Sequence, residues 1–382
     1  GGSGGAIKLV ADTIDSTATP TSITVNGGNA KDATAGSGGG GCAYIEYTAS
    51  NATDPTAAYF GMRGGTNGHQ KGGAGQVIIK DSDGGGDGDL YIINGGSVGA
   101  DTPVLNTPLT IDTLTVNNDA VYSIESGDVV NIADTNSILS PSNDGRINIY
   151  GTLNATSGTI DTLDNVAFYL YSGGVIENGT ALSITADASV YFYSGAIPDN
   201  STLTSLTSSG TVLVQPTVFA SLGTFTINAG TVTMNSYTTA TAQTVTNLVI
   251  NGGTLTHSDN TANQQDHILN IDASGDITIG ASGSINVDYL GYDGGQSTSP
   301  VHQNGYGYAG PPIGYGQYAS NRGSGGAHGG DGGQESSATP GGTAYCDVNN
   351  PATMGSGGGN YGAGDGGGLI ILDAEGTVTV SG

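Results

Sequence analysis

Four aspartates stand close together in a glycine-rich stretch of the sequence, at a spacing that can bind a cation. They are Asp81, Asp83, Asp87 and Asp89, in the run DSDGGGDGD. Calcium takes about six to eight oxygen ligands, and a short acidic loop made flexible by glycine can supply several. No glutamate stands after Leu90 where an EF-hand would need one. The stretch is therefore a candidate Ca²⁺ site, and the alternative is a solvated hairpin turn between Ile79 and Tyr91.

Two cysteines are the only thiols, Cys42 and Cys346, and they stand far apart in the sequence. A disulfide requires Cα atoms within about 7 Å, which the two ends of one straight rod would not provide. Three arrangements stay open: a bridge between stacked subunits, a bridge within one chain through a folded-back segment, and two unpaired thiols.

Four asparagines begin N-x-Ser/Thr sequons and are candidate glycosylation sites: Asn51, Asn154, Asn178 and Asn200. Serine and threonine are frequent in this chain, so several sequons are also expected by chance. Catalytic motifs are lacking, because the five histidines show no zinc spacing and no nucleophile motif occurs. We therefore expect no enzyme activity, with a polysaccharide lyase or glycosidase as the least favoured function.

The charge balance restricts the partners of this protein. Only 10% of the residues are charged, yet the formal net charge is −26. An acidic surface repels phosphate backbones and anionic headgroups, so we expect no nucleic acid partner. No apolar run is long enough to span a bilayer, so we expect no membrane insertion.

Self-similarity indicates the fold. Strands followed by a glycine turn recur in the middle of the chain, as in RINIYGTL, FYLYSGGV and YFYSGAI, at a period of about 20 to 25 residues. Such a period predicts an all-β chain, a right-handed parallel β-helix (β-solenoid). Because like residues then stack on like, Tyr169, Tyr171, Tyr191 and Tyr193 are predicted to form an aromatic ladder.

Changes in composition predict four regions: glycine-rich β-coils over 1–104, regular rungs over 105–290, a glycine- and tyrosine-rich insertion over 291–368, and terminal strands over 369–382. The insertion is either an ordered cap or a mobile flap. Its tyrosines favour order, since they have apolar area to bury.

The glycine-rich segments at the two ends of the chain resemble the repeats of a known group of proteins. The opening GGSGGAIKLVADTI with GSGGGGCAYIEY and GGAGQVIIKD, and the closing MGSGGGNYGAGDGGGLIILDAEGTVTVSG, resemble the glycine-rich repeats of very large bacterial and archaeal surface proteins. That resemblance covers about half of the chain. It implies an extracellular or cell-surface location and a structural or adhesin-like role.

The terminal strands are the candidate assembly residues, with Ile7 and Leu9 in one and Val378 and Val380 in the other. Unpaired strand edges recruit further strands. The leading hypothesis is therefore a homopolymer, a filament or sheath in which copies add head to tail. The alternative is an adhesin or phage-fibre module that binds cell-surface or host carbohydrate.

Overall fold

The protein is all-β in the part of the chain that the structure describes. The computed structural model describes residues 1–14, 23–50, 60–96, 98–133, 138–139, 145–155, 159–163, 166–177, 181–184, 188–198, 205–215, 222–261, 264–295, 304–307, 315–319, 322–335, 339–359 and 363–381. These residues contain no helix, and hence no helix that is long and apolar enough to cross a membrane. They divide into two compact units, Gly1–Thr211 and Val212–Gly382.

The first unit is built from β-strands, which recur at the period of the sequence only from Leu114 onward. They are β1 (Ala6–Ile14), β2 (Ile23–Thr24), β3 (Cys42–Ser50), β4 (Phe60–Gly61), β5 (Gly75–Asp81), β6 (Asp89–Ile93), β7 (Thr102–Pro103), β8 (Leu109–Ile111), β9 (Leu114–Asn117), β10 (Val121–Ile124), β11 (Val129–Ile132), β12 (Ile138–Leu139), β13 (Gly145–Ile149), β14 (Thr152–Ala155), β15 (Thr159–Leu163), β16 (Val166–Leu170), β17 (Val175–Glu177), β18 (Ala181–Ile184), β19 (Ser189–Phe192), β20 (Ile197–Pro198) and β21 (Ser205–Ser208). A further strand, β22 (Thr211–Val214), begins at the last residue of this unit.

From β9 onward each coil of the first unit supplies three strands, and each strand pairs in parallel with its equivalent one coil away. The three resulting columns run β9-β12-β15-β18-β21, β10-β13-β16-β19 and β11-β14-β17-β20. Alternate side chains point inward, and Leu114, Ile147 and Leu170 are fully buried. Large parallel sheets are therefore the framework, and they are compatible with a solenoid.

The coils at the start of the chain run in the opposite direction. Strands β1, β3 and β5 pair in parallel, but β6 returns antiparallel to β5, and β9 is then parallel to β6. Antiparallel partners share a face of the sheet. Val77 faces Tyr91, which packs on the core of the first coils, whereas Leu90 pairs with Leu114 in the core of the later coils. The core therefore changes face at this hairpin.

Glycine-rich segments complete the first coils without forming strands. Segments 1–5, 25–28, 36–41 and 62–65 bond to one another through their main chains, as in Gly28 N to Gly2 O (2.7 Å), Gly38 N to Gly28 O (2.9 Å) and Gly65 N to Gly38 O (2.8 Å). Bonds to several neighbours are expected of polyproline-II chains packed side by side. A Cβ at Gly38 would collide with the carbonyl oxygen of Gly2, so no larger residue fits there.

The second unit is again built mainly from parallel strands, one of them 14 residues long. They are β23 (Leu222–Ile227), β24 (Thr231–Met234), β25 (Gln243–Thr256), β26 (Leu269–Ala273), β27 (Ile277–Ile285), β28 (Tyr318–Ala319), β29 (Arg322–Gly323), β30 (Ile370–Ala374) and β31 (Val378–Val380). Parallel pairs join β23 and β24 to β25, β25 to β26 and β27, β26 to β30, and β27 to β31.

The described residues of the insertion 291–368 form a second glycine lattice. Gly291 N donates to Gly366 O at 2.7 Å, Gly366 N to Tyr292 O at 2.9 Å, and Gly316 N to Gly357 O at 2.9 Å. Beneath the lattice, Tyr292, Met354 and Leu369 pack with Ile268 in a small core. This small core lies beside the first residues of β26 and β30, since Ile268 and Leu369 directly precede them.

Candidate functional site

The outer face of the first unit carries a ladder of five tyrosines. Tyr169 and Tyr191 occupy paired positions on β16 and β19, and Tyr150, Tyr171 and Tyr193 each follow the end of β13, β16 and β19. Ring centroids lie 4.4 Å apart for Tyr150 and Tyr171, 5.0 Å for Tyr171 and Tyr193, and 4.5 Å for Tyr169 and Tyr191. The predicted ladder is confirmed, with Tyr150 as an added member.

The sequence positions this ladder through its turns. Each tyrosine alternates with a buried lumen residue such as Phe168, Leu170 or Phe192, so the rings point outward and are half-exposed. The coil then turns at Gly173 and Gly195, whose φ angles of 82° and 80° favour glycine. Because the turn recurs at the equivalent position of each coil, the tyrosine ring of one coil stacks on the ring of the next.

Arg146 contacts two tyrosines at one end of the ladder. Its guanidinium lies 3.9 Å from the ring centroid of Tyr169, its Nη2 donates to the Tyr171 hydroxyl at 2.7 Å, and its Nε donates to Asn148 Oδ1 at 2.7 Å. Asn148 Nδ2 in turn donates to Asp101 Oδ2 at 3.1 Å. Sequence reasoning missed this arginine, although it is the single lysine or arginine between Lys80 and Arg322.

The environment keeps the phenols protonated. Burial, followed by neighbouring tyrosines, raises the pKa of Tyr150, and burial likewise raises the pKa of Tyr169 and of Tyr193. Arg146 works against the rise in pKa at Tyr169 and Tyr193. These three tyrosines therefore carry neutral hydroxyl groups at neutral pH.

The candidate assembly residues lie on outer strands, where part of their apolar surface is uncovered. Leu9 on β1 is 37% exposed, although its neighbour Ile45 on β3 is fully buried. On β31, Val378 and Val380 are 53% and 68% exposed, whereas Ile277, which pairs with Val378, is fully buried. Ile7 is partly covered by the core of the first coils.

The four aspartates of the candidate calcium site lie in and beside the β5–β6 turn. Asp81 Oδ1 accepts a bond from Asp83 N at 3.0 Å, and Asp89 Oδ1 accepts one from Thr113 Oγ1 at 2.6 Å. A fifth carboxylate, Asp112, accepts bonds from Asp87 N at 3.1 Å and Gly88 N at 2.8 Å. In the described residues no three His, Cys, Asp or Glu side chains are grouped to hold a metal ion. Calcium binding stays a prediction.

The remaining predicted sites are single residues. Both cysteines are unpaired, with Cys42 exposed and Cys346 half-buried. Asn154 Nδ2 donates to Asn131 Oδ1 at 3.0 Å, so the atom that a glycan would need already holds two coils together. Asn51, Asn178 and Asn200 lie outside the described residues.

Two histidines of the second unit each have a buried ring nitrogen with no hydrogen-bond partner among the described residues, which the sequence did not reveal. In the second unit, His257 is almost wholly buried, its Nδ1 lies 2.7 Å from Ser258 O, and its Nε2 has no hydrogen-bond partner within the described part of the chain. A Cβ at Gly368 would collide with this imidazole, so the lattice glycine makes room for it. Burial lowers the pKa of His257 and of His267.

Comparison with models of protein families, with curated proteins and with solved structures gives no match.

Proposed function

We propose that the chain is a right-handed parallel β-helix that acts as an extracellular structural protein, whose copies join head to tail by strand addition into a filament. The observation that carries this proposal is the exposure of Val378 and Val380, whose strand is paired on one side only in the described residues. A strand from a second copy would bury these side chains and satisfy the main-chain groups of the free edge.

The first and last coils of the chain are alike in sequence design, which supports a second copy of this chain as the partner of the exposed β31 edge. The first coils show that a glycine segment followed by a short apolar strand stacks on another of the same kind, because β1 pairs with β3 in register and Gly4 N donates to Gly39 O at 2.9 Å. Residues 364–374 have the same design, with the lattice leading into β30. One copy's last coil is thus the type of element that packs against a first coil.

Variants of the two outer strands test the proposal. We expect the wild-type protein to form filaments in negative-stain images, and Val378→Asp and Leu9→Asp each to abolish them, because each places a charge in the joint. Thr379→Asp is the matched control, since it adds the same charge to the other face of β31. An equimolar mixture of the two defective variants retains one intact joint and should give dimers by light scattering. Wild-type protein that stays monomeric at every concentration would refute the proposal.

The half-exposed tyrosine ladder favours carbohydrate binding as a second candidate function, that of an adhesin. Rows of neutral hydroxyls and ring edges can contact sugars without attracting polyanions, which the net charge of −26 opposes. Binding on a glycan array that disappears in Tyr191→Ala, with unchanged thermal unfolding, would support this function. Filament formation in the same variant separates the two functions.

A further inference from the structure

The tyrosine ladder has the geometry of a covalent modification site. Its rings are near-parallel, with interplanar angles of 5° for Tyr150 and Tyr171, 8° for Tyr171 and Tyr193, and 14° for Tyr169 and Tyr191. Each pair joins two successive coils, and the paired backbone holds the rings in register. We propose that these stacked tyrosines are a site of oxidative cross-linking, in which a peroxide-dependent peroxidase converts neighbouring rings to dityrosine.

The chemistry needs a one-electron oxidant and two adjacent phenols. Each tyrosine loses one electron and its hydroxyl proton, which leaves a phenoxyl radical with spin density on the ring carbons ortho to oxygen. Two radicals then form a carbon–carbon bond between these carbons, and each ring regains its aromaticity as the ring hydrogen moves to oxygen. In total, one hydrogen peroxide accepts two electrons and two protons from a tyrosine pair and becomes two molecules of water.

The surroundings favour this reaction at the ladder over other parts of the chain. The rings are half-exposed, so an oxidant can withdraw electrons at the surface, and the centroid of the partner ring lies only 4.4 to 5.0 Å away. The chain contains no tryptophan to compete as an electron donor. Tyr237 and Tyr289 are more exposed, at 50% and 70%, but neither stacks on another tyrosine within the described residues.

A link at the ladder would tie one coil to the next. Closing a loop of one coil with a covalent bond lowers the entropy of the unfolded chain, as a disulfide does. The cross-linked protein should therefore unfold at a higher urea concentration than the untreated protein. This gain in stability does not depend on whether copies assemble into filaments.

Peptide mapping can locate the links, because acidic residues separate the ladder coils. Cleavage after Asp and Glu places Tyr150, the pair Tyr169 and Tyr171, and the pair Tyr191 and Tyr193 on three different peptides. Dilute protein treated with peroxidase and hydrogen peroxide should gain dityrosine fluorescence. Mass spectrometry should find these peptides joined in pairs that have lost two hydrogens.

Single substitutions make the test specific. Tyr171→Phe keeps a stacked ring but removes its phenol, so both links through Tyr171 should be lost while the Tyr169–Tyr191 link remains. Tyr289→Phe is the control and should change neither. The proposal is overturned if no dityrosine forms, or if the links arise mainly from Tyr237 or Tyr289 or between molecules. Unchanged circular dichroism of each variant excludes misfolding as the cause.

Discussion

Arg146 covers the face of Tyr169 that is turned away from Tyr191, and the same guanidinium donates to the hydroxyl of Tyr171. One cation thus joins the two tyrosine columns at the edge of the ladder. A planar guanidinium can stack on one ring and bond to a second group at the same time, which an ammonium does not reproduce.

Arg146→Lys and Arg146→Gln are therefore expected to destabilise the first unit. We expect a loss of about 1–2 kcal/mol in the free energy of unfolding for the glutamine variant, from one cation–π contact and two hydrogen bonds. Urea unfolding followed by tyrosine fluorescence measures it. Lys31→Gln removes one exposed positive charge as a control, and equal midpoints for the two glutamine variants would contradict the role of Arg146.

The glycine lattice predicts opposite effects of alanine at two of its positions. Gly38→Ala should cost about 2–3 kcal/mol, because its Cβ would collide with the main chain of Gly2. Gly5→Ala should be neutral or stabilise by about 0.5 kcal/mol, since a Cβ there meets nothing within 4 Å. Thermal unfolding of both variants gives the comparison, and equal stabilities would argue against a close-packed lattice.

The β5–β6 turn predicts a structural role for one aspartate. Asp112→Ala removes the acceptor of two main-chain bonds, at Asp87 N and Gly88 N, and should cost about 1–2 kcal/mol. Asp83→Ala is the matched control, because it also removes one carboxylate, from the turn itself, and leaves those bonds intact. Repeating both measurements with Ca²⁺ and with a chelator tests the predicted calcium site, since bound calcium would raise the stability of the wild-type protein.

The buried histidines predict a loss of stability in mild acid. The pKa of His257 in the folded protein lies below its unfolded value, with burial as the main cause. Stability is therefore complete above about pH 6.5 and falls as the pH drops below that value, because the unfolded chain takes up the proton first. Protonation would also give Nε2 a hydrogen with no acceptor.

Unfolding midpoints at about pH 7.5 and about pH 5.5 measure this effect. Their difference should shrink in His257→Leu and shrink further when His267 is also replaced. His69→Leu, at an exposed histidine, should leave the difference unchanged. Burial raises the pKa of Asp259, so its titration stabilises the folded protein as the pH falls and acts against the histidine effect. The lower pH is therefore kept above the usual range of carboxyl groups.

The regular coils could be predicted from sequence because similar strand and glycine-turn residues recur at a fixed spacing. Parallel stacking repeats every contact, so Tyr169 predicts Tyr191 as its neighbour from spacing alone. The antiparallel β5–β6 pair is the hairpin that was the alternative to a calcium loop, but the change of coil direction that follows it could not be predicted, since Val77–Ile79 and Leu90–Ile92 have the same alternation in either strand direction. Direction is decided by the Asp81–Asp89 turn, which also fits a metal-binding loop.

The glycine lattices were harder to foresee than the strands. Their segments carry no periodic apolar pattern, and the bonds that hold Gly28 to Gly38 and Gly38 to Gly65 depend on which chains meet. The contact of Arg146 with the tyrosine ladder could not be predicted for a different reason. A single arginine has no pattern, and its role follows only from the geometry of Tyr169 and Tyr171.

Because the core changes face at the β5–β6 hairpin, the first unit has two hydrophobic interiors. The β5–β6 hairpin is the wall that they share. Side chains on one side of that wall contact the early coils, and those on the other side contact the later coils. A proteolytic nick at the exposed glycines Gly84 and Gly85 would cut the chain without opening either interior. Coils could likewise be gained or lost on one side of the wall while the packing on the other side is preserved.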